Sequence, residues 1–520
     1  MRGMLTSGIR LNMPSPFFWR QDSRPMRVLQ IASEAMPFAK TGGLADVAGA
    51  LPAALEQLGC ESTLVLPAYR SVFGKGLPIE ATDLRFPVPV GKRHLEATVF
   101  RCELPGGGRT FLIGNDHCFD RDSLYGMPEA YGDNAERFIF FSRAALELAA
   151  RQPEPFDIIH CHDWQTGLVP AYQKLLYDTW PTISSARTVL TIHNVAFQGQ
   201  FWHWDMLLTG FHWKYFNWEQ MEFYGQLNML KAGIVFADKL STVSPTYARE
   251  IQSAPGGNGL EGVLAGRASD LVGIVNGIDS DVWNPRTDRH IPRHYGEDDV
   301  DDGKYTARVA LAARLGHAAP DPRPLVSFVG RLAEQKGVGL MLDLINRLAG
   351  SGLVHFVMLG AGDPATEQAL RTVAASFPDT VDLVIGFDES LAHLIQAASD
   401  ILLMPSQYEP CGLAQLYAFR YGTIPVVRAT GGLVDTVVDT TDDSLADGTA
   451  SGFVFGPFSS AALEEAVRRA IALRGEPERW QRLVRRVMGQ DWSWEASGRR
   501  YLELYQQTRA APPVAVADVD

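Results

Sequence analysis

From Met26 onward the chain alternates short runs of β-branched and other apolar residues with stretches whose apolar positions recur every three or four residues. The runs RVLQIAS, STLVLP, FDIIHCH, TVLTIHN, KLSTVS and GIVNG have the length of strands and few polar interruptions, the pattern of strands covered on both faces. After the first of them, Leu44, Val47, Leu51, Leu55 and Leu58 fall on one face of a helix. Strands alternating with amphipathic helices predict a parallel sheet with helices on both sides. The alternation breaks between Trp283 and Pro324, where Pro, Asp and His cluster and the run EDDVDD occurs. It resumes with LVSFVG, HFVMLG, DLVIG, DILLMP and IPVV.

The expected fold class is therefore α/β, with two doubly wound Rossmann-like domains, 26–283 and 325–490, joined by a linker region at 284–324. The acidic run is read as a solvated face of that linker. Length agrees, because 520 residues exceed the roughly 250–300 at which single cores stop growing. A helix is expected over 491–508 and a disordered tail over 509–520. In the first 25 residues Arg2, Arg10, Arg20 and Arg24 face a single acid, Asp22, and no periodicity appears. A disordered extension, or a start assigned too far upstream, is favoured over a targeting peptide, because Met26 stands directly before the first strand.

Charge and cysteine usage narrow the partners. A net charge of −13 leaves no basic excess to displace counterions from a nucleic acid, so any phosphate must be held locally. The five cysteines (Cys60, Cys102, Cys118, Cys161, Cys411) form no CxxC pair and suit reduced thiols in a cytoplasmic protein. No apolar run approaches the ~18 residues of a membrane span. Neither a nucleic acid nor a membrane is expected as a partner.

Two doubly wound units side by side leave a cleft into which the carboxyl ends of both sheets point. The loop KTGGLADV follows the first strand, and Lys40, Gly42 and Gly43 there suit an anion held at a helix start, a tight turn with a solvated lysine being the plain alternative. GRLAEQKG places Arg331 and Lys336 after LVSFVG, a fork and a point charge suited to a leaving diphosphate. In PSQYEPCGLAQLYAFRYG, Glu409 could accept sugar hydroxyls, while N–H groups near Gly412 and Leu413, and those of Thr430, Gly431 and Gly432, could hold phosphate. Cys411 has no base beside it in the sequence and is read as lining the site. HCHDW and TIHN end strands of the first half, bringing Asp163, Trp164 and His193 toward the same cleft as hydroxyl acceptor, stacking face and polar group. A histidine ending a buried strand is by itself more often structural. The histidines and acids show no HExxH or other metal spacing, and no metal is expected.

KTGGLADV, HDW, TIHN, SPTYAREI, NGID, GRLAEQKG and PSQYEPCGLAQLYAFRYGTIPVV, in this order, resemble the glycogen and starch synthase family over Met26 to Tyr505. The resemblance implies the two-domain GT-B glycosyltransferase fold. It implies transfer of glucose from ADP-glucose to the end of an α-1,4-glucan such as glycogen or a maltooligosaccharide, with retention and without a metal or other cofactor, and a last helix crossing back to the first domain. By position it implies Lys40 on the donor and His193 beside the transferred glucose. It sets Asp46, Asp163, Trp164 and Asn276 around the sugars, Arg331 and Lys336 on the diphosphate, and Glu409, Cys411 and Gly412 at the donor glucose. Related retaining transferases carry a second glutamate where this chain has Tyr417, and some members carry histidine where it has Gln165. A transferase using UDP- or GDP-sugars and an inactive glucan-binding protein remain the alternatives.

Overall fold

The computed structural model describes residues 24–103, 108–127 and 129–515. The first unit holds β1 (Arg27–Ile31), β2 (Glu61–Pro67), β3 (Ile79–Val90), β4 (Arg93–Glu103), β5 (Arg109–Gly114), β6 (Ile158–His162) and β7 (Arg187–Ile192), then β8 (Gln200–Trp202), β9 (Glu222–Phe223), β10 (Gln226–Asn228), β11 (Lys239–Thr242) and β12 (Leu271–Gly273). Nine of these form one sheet in the order β12-β11-β7-β6-β1-β2-β5-β4-β3, while β8, β10 and β9 form a small antiparallel sheet beside it. From β12 to β5 every pairing is parallel, and β4 and β3 close the edge as an antiparallel meander. The apolar runs are the central strands: every residue of β1 and β6 is buried. The meander alternates buried and exposed positions along β3, as an edge with one wet face must.

The second unit contains β13 (Leu325–Val329), β14 (His355–Gly360), β15 (Val381–Ile385), β16 (Ile401–Met404), β17 (Ile424–Arg428) and β18 (Phe453–Phe455), all parallel, in the order β15-β14-β13-β16-β17-β18. This order reverses direction between β13 and β16. In the first sheet the reversal lies at β1, between β2 and β6. Crevices at such switch points are where doubly wound sheets bind ligands.

The C-terminal helix Trp494–Ala510 lies on the first unit, not the second. Trp494, Tyr501, Leu504 and Tyr505 pack with Val28, Val47, Leu51 and Leu55 in one buried cluster, and Tyr505 Oη lies 2.8 Å from His160 Nδ1.

The structure departs from the sequence reading at five places. Trp283, taken as the end of the first unit, stacks between His393 (3.8 Å) and Tyr417 (3.9 Å) of the second, and Ile278 already belongs to the second core. The region read as a linker contains a helix, Val300–Leu315, with Asp301 and Asp302 in its first turn; these acids are exposed, as expected of a solvated face, and there they complement the helix dipole. Its Arg308 pairs with buried Asp400 at 2.6 Å. GIVNG follows the strand instead of forming it, because β12 ends at Gly273, where a side chain would strike the Ser244 carbonyl. Within the expected tail, Val514 is held by its N–H on Asp238 (3.0 Å) and its carbonyl on Lys174 (3.2 Å), and residues 516–520 lie outside the described residues. Of the expected N-terminal extension, 1–23 lie outside the described residues, and Arg24 binds Asp157 through two nitrogens at 3.0 and 3.2 Å.

Candidate active site

The loop leaving β1 is organised by Glu34, a buried carboxylate that the sequence reading passed over. It accepts hydrogen bonds from the Thr41 and Gly42 N–H groups, from Thr41 Oγ1 (2.6 Å) and from Tyr125 Oη (2.7 Å). The Gly42 N–H is therefore already engaged by protein. Lys40, nearly half exposed, pairs with Asp46 in the first turn of the helix Gly43–Gln57 at 2.6 Å. Burial raises the Asp46 carboxyl and Lys40 opposes it.

At the end of β6 the chain turns sharply at Asp163, whose backbone (φ 56, ψ −169) sits where side-chain-bearing residues are rare and strained. The turn is held by Asp163 N–H on the Thr191 carbonyl (2.9 Å) and by the Asp163 carboxylate accepting the His193 N–H (2.7 Å). Burial pushes this carboxyl up to about 7. His193, at the end of β7, is buried, and its Nε2 lies 3.0 Å from His162 Nδ1. His160 continues the column below, on Thr191 Oγ1 (2.6 Å), which in turn meets Ser241 Oγ (2.6 Å). Burial depresses His160 and His193 to about 3 and His162 well below its ordinary value, so all three imidazoles are neutral near pH 7. His193 can therefore offer hydrogen bonds but no charge. Trp164 is half-buried and packed against Phe138, Phe201 and Tyr125 at 5.0, 5.5 and 6.3 Å, so much of its ring is used in the wall rather than left as a stacking face.

Across the cleft, the loops after β13 and β16 meet at the second switch point. Lys336 Nζ lies 2.5 Å from Glu409 Oε2, and Ser406 Oγ donates to the same oxygen at 2.9 Å. Gln335 joins the two loops through Tyr408 and Gln407. Arg331 is exposed and its guanidinium reaches Gln335 at 3.1 Å. Cys411 is buried with its thiol pushed up to about 12, so it is a wall and no nucleophile. Gly412 (φ 74) turns the chain toward Leu413 and the helix Ala414–Arg420, and Gln415 ties back to the carbonyls of Cys411 and Gly412. Tyr417, where related enzymes carry a second acid, is a half-buried ring stacked on Trp283.

The expected phosphate donors at Thr430–Gly432 are differently engaged. Gly431 (φ 47) packs so closely under the Glu409 carbonyl that any side chain would overlap it. Its N–H donates 2.9 Å to Glu250 of the first unit, which Thr430 Oγ1 also approaches at 3.4 Å, and the Gly432 N–H bonds the Glu409 carbonyl at 3.0 Å. Glu250 is one part of a polar clasp between the units. Ser244 Oγ donates to the Pro410 carbonyl, and the N–H and hydroxyl of Thr246 both reach the Asp435 carboxylate, each at 2.7 Å. The Asn276 N–H points at Cys411, and the Leu413 side chain lies across from Gly43, 3.9 Å from where a Cβ would stand.

The structure thus gathers the residues singled out in the sequence at the facing carboxyl ends of two sheets. The cations Lys40, Arg331 and Lys336 stand with acids Asp46, Asp163 and Glu409. Sequence reasoning missed Glu34, Glu250, Asp435 and Trp283, and the partners of the last three lie far along the chain. Buried polar atoms left without a partner among the described residues include His162 Nε2, Gln165 Oε1, Asn276 Oδ1 and Gln415 Oε1, all in or beside these motifs. Each unmatched group costs about 1–3 kcal/mol until something bonds it.

Known proteins match this arrangement along the chain. Residues 27–266 match the family described as starch synthase catalytic domain, and residues 312–487 the family described as glycosyl transferases group 1. A glycogen synthase of Rhodopirellula baltica is 43% identical, the match covering 93% of this chain and 98% of that one. One from an Anaeromyxobacter species is 44% identical over 93% of this chain and all of its own length. Among solved structures, the catalytic domain of starch synthase IV from Arabidopsis thaliana, bound to ADP and acarbose, superposes with a TM-score of 0.87 at 35% identity, covering 94% of this chain and 100% of that one. A sucrose-phosphate synthase from Thermosynechococcus elongatus (TM-score 0.58, 18% identity, covering 94% and 100%) shares the fold alone. The chain belongs to the glycogen and starch synthase family, a two-domain glucosyltransferase that adds glucose to α-1,4-glucan.

Proposed function

We propose that the donor is ADP-glucose and that its glucose passes, with retention of configuration, to the 4-hydroxyl at the non-reducing end of glycogen or a maltooligosaccharide, in the cytoplasm. The observation that carries this reading is the Lys336–Glu409 pair at the second switch point, facing the Asp163–His193 corner of the first. A cation and a buried carboxylate side by side suit the two ends of a sugar diphosphate: Lys336, with Arg331, takes the phosphate oxygens, and Glu409 accepts hydroxyls of the glucose. Lys40 adds a third cation from the opposite wall, and Asn276, Cys411, Gly412 and Leu413 line the floor.

In the transfer, the bond between glucose C1 and the phosphate oxygen breaks while C1 bonds the incoming 4-hydroxyl oxygen on the same face. The hydroxyl proton passes to the departing phosphate oxygen, so no side chain need attack the sugar. Stabilisation of the growing diphosphate charge falls to Lys336 and Arg331. The neutral His193 holds a glucose hydroxyl without placing a second positive charge beside the electron-poor C1. Asp163 fixes the His193 backbone through its carboxylate and so acts as a positioning group. The test is nucleoside diphosphate release with a glycogen primer and ADP-, UDP- or GDP-glucose. Turnover with ADP-glucose at least tenfold above the others is expected. A preference for UDP- or GDP-glucose overturns the donor assignment, and no release with any of them overturns the catalytic one.

A further inference from the structure

The second sheet carries another polar cluster at its opposite, amino-terminal edge, away from the cleft. His355 is the first residue of β14 and Asp382 the second of β15. Asp382 pairs with Val357, two residues along from His355, so the two side chains stand on one face of the sheet. His317 joins them from beyond the helix Val300–Leu315. That helix ends at Gly316 (φ 88), and the His317 N–H bonds back to the Ala312 carbonyl at 2.9 Å, which fixes where the imidazole begins. His317 Nε2 lies 2.9 Å from both Asp382 oxygens and His355 Nε2 lies 2.6 Å from Asp382 Oδ2. The ligand atoms of the three residues all fall within 4.8 Å of one another. The other His355 nitrogen, Nδ1, is held by Asp321 at 3.0 Å, and Asp321 is itself anchored by Arg323. All four residues line a cavity of about 310 Å³ bounded on its other sides by Arg308, Leu311 and Pro320.

We propose that His317, His355 and Asp382 form a binding site for a divalent transition metal of the zinc type, outside the catalytic cleft. Two imidazole nitrogens and one carboxylate are a donor set such ions prefer, and bonds of about 2.0–2.2 Å in a tetrahedron require neighbouring ligand atoms roughly 3.3 Å apart. The present spacings of 2.6 and 2.9 Å need to open by less than about 1 Å, and the remaining one, within 4.8 Å, to close by at most about 1.5 Å. The carboxylate behind His355 is the outer partner that metal-bound histidines usually have: with Nδ1 occupied by Asp321, Nε2 is turned toward the cluster. The cavity leaves a fourth position for water or a small anion. His317 and Asp321 both come from the segment between the helix Val300–Leu315 and β13, so a bound ion would pin the end of that helix to the base of the sheet.

The full-length protein, stripped with a chelator and dialysed, is titrated with Co2+ and followed by visible absorption, then back-titrated with Zn2+. One equivalent of Co2+ should bind with the intense spectrum of a tetrahedral site and be displaced by one equivalent of Zn2+. Affinity should fall at least tenfold in His317→Asn, a residue one-third exposed whose replacement leaves the core and glucosyl transfer intact. Asp321→Asn should weaken it by about 10–100-fold without abolishing the spectrum. The absence of saturable absorption, or the same affinity and spectrum in both His317→Asn and Asp382→Asn, overturns the proposal and leaves the cluster as hydrogen-bonded ion pairs.

Discussion

Acidification from about pH 7.5 to about 5.5 should destabilise the first unit, and the buried column of His160, His162 and His193 sets the size of the effect. Each has its pKa lowered in the folded state, to about 3 for His160 and His193 and well below the ordinary value for His162. The unfolded chain therefore binds protons near pH 6.5 that the folded chain refuses, and stability present above that value is lost as pH falls. Over this interval the three histidines together cost about 4 kcal/mol. Asp163 works the other way: its folded pKa is raised to about 7, so the native state takes up a proton first and gains about 2 kcal/mol over the same interval. The histidines win by about 2 kcal/mol. For a unit of this size that lowers the midpoint of thermal unfolding by roughly 4–8 °C. Differential scanning calorimetry at both pH values, with tryptophan fluorescence reporting the first unit through Trp164, Trp180 and Trp202, measures it. His160→Gln, whose amide can still reach Thr191 and Tyr505, should lose roughly two-thirds of this net pH dependence even if less stable at both values. A first-unit transition that is unchanged or higher at pH 5.5, or an undiminished slope in His160→Gln, would refute the reasoning.

Other substitutions read the cleft directly. Lys336→Ala should lower turnover roughly 100-fold or more, since loss of one such charged donor costs about 2.7–4 kcal/mol; steady-state kinetics within threefold of the parent would exclude the role. Gly431→Ala should abolish activity by displacing the Glu409 carbonyl, whereas Gly448→Ala, at φ 74 with open space around it, should cost only about 1 kcal/mol of stability and leave kinetics unchanged. Asp435→Asn removes the charge that Thr246 contacts twice, so small-angle scattering should show a larger radius of gyration and kinetics a turnover reduced about three- to tenfold. Cys411, with its thiol held up to about 12, should resist iodoacetamide at about pH 8 until the chain is unfolded, as followed by mass spectrometry.

The parts of the fold readable in the sequence were those with a local signature. The central parallel strands are continuous apolar runs, and the motif loops sit at their ends, so the topology of each sheet brings Lys40, Asp163, Arg331 and Glu409 to switch points without further information. The meander β3–β5 was not readable because its alternation is diluted by exposed charged and proline positions along β3. The helix Val300–Leu315 was hidden behind EDDVDD, whose charges look like those of a solvated loop until their place in a first turn is known. Glu34 and Glu250 carry no local pattern at all. Each matters through what it satisfies, and the partners of Glu250 lie about 180 positions away. The metal-type cluster has the same origin, since His317, His355 and Asp382 are joined only by the pairing of β14 with β15 and by the end of a helix.

The hydrogen bond between Tyr505 and His160 bears on how the molecule is made. The first unit begins near residue 27, but its buried face around Val28, Val47 and Ile158 is closed by side chains that are made only after the whole second unit. Until the helix Trp494–Ala510 has been synthesised, the emerging first unit exposes that apolar face and lacks the support under its histidine column. Completion of the amino-terminal half thus waits until the second unit has been made. A nascent or prematurely terminated chain cannot become a half-functional enzyme, and it presents to chaperones and proteases a surface that the finished protein conceals.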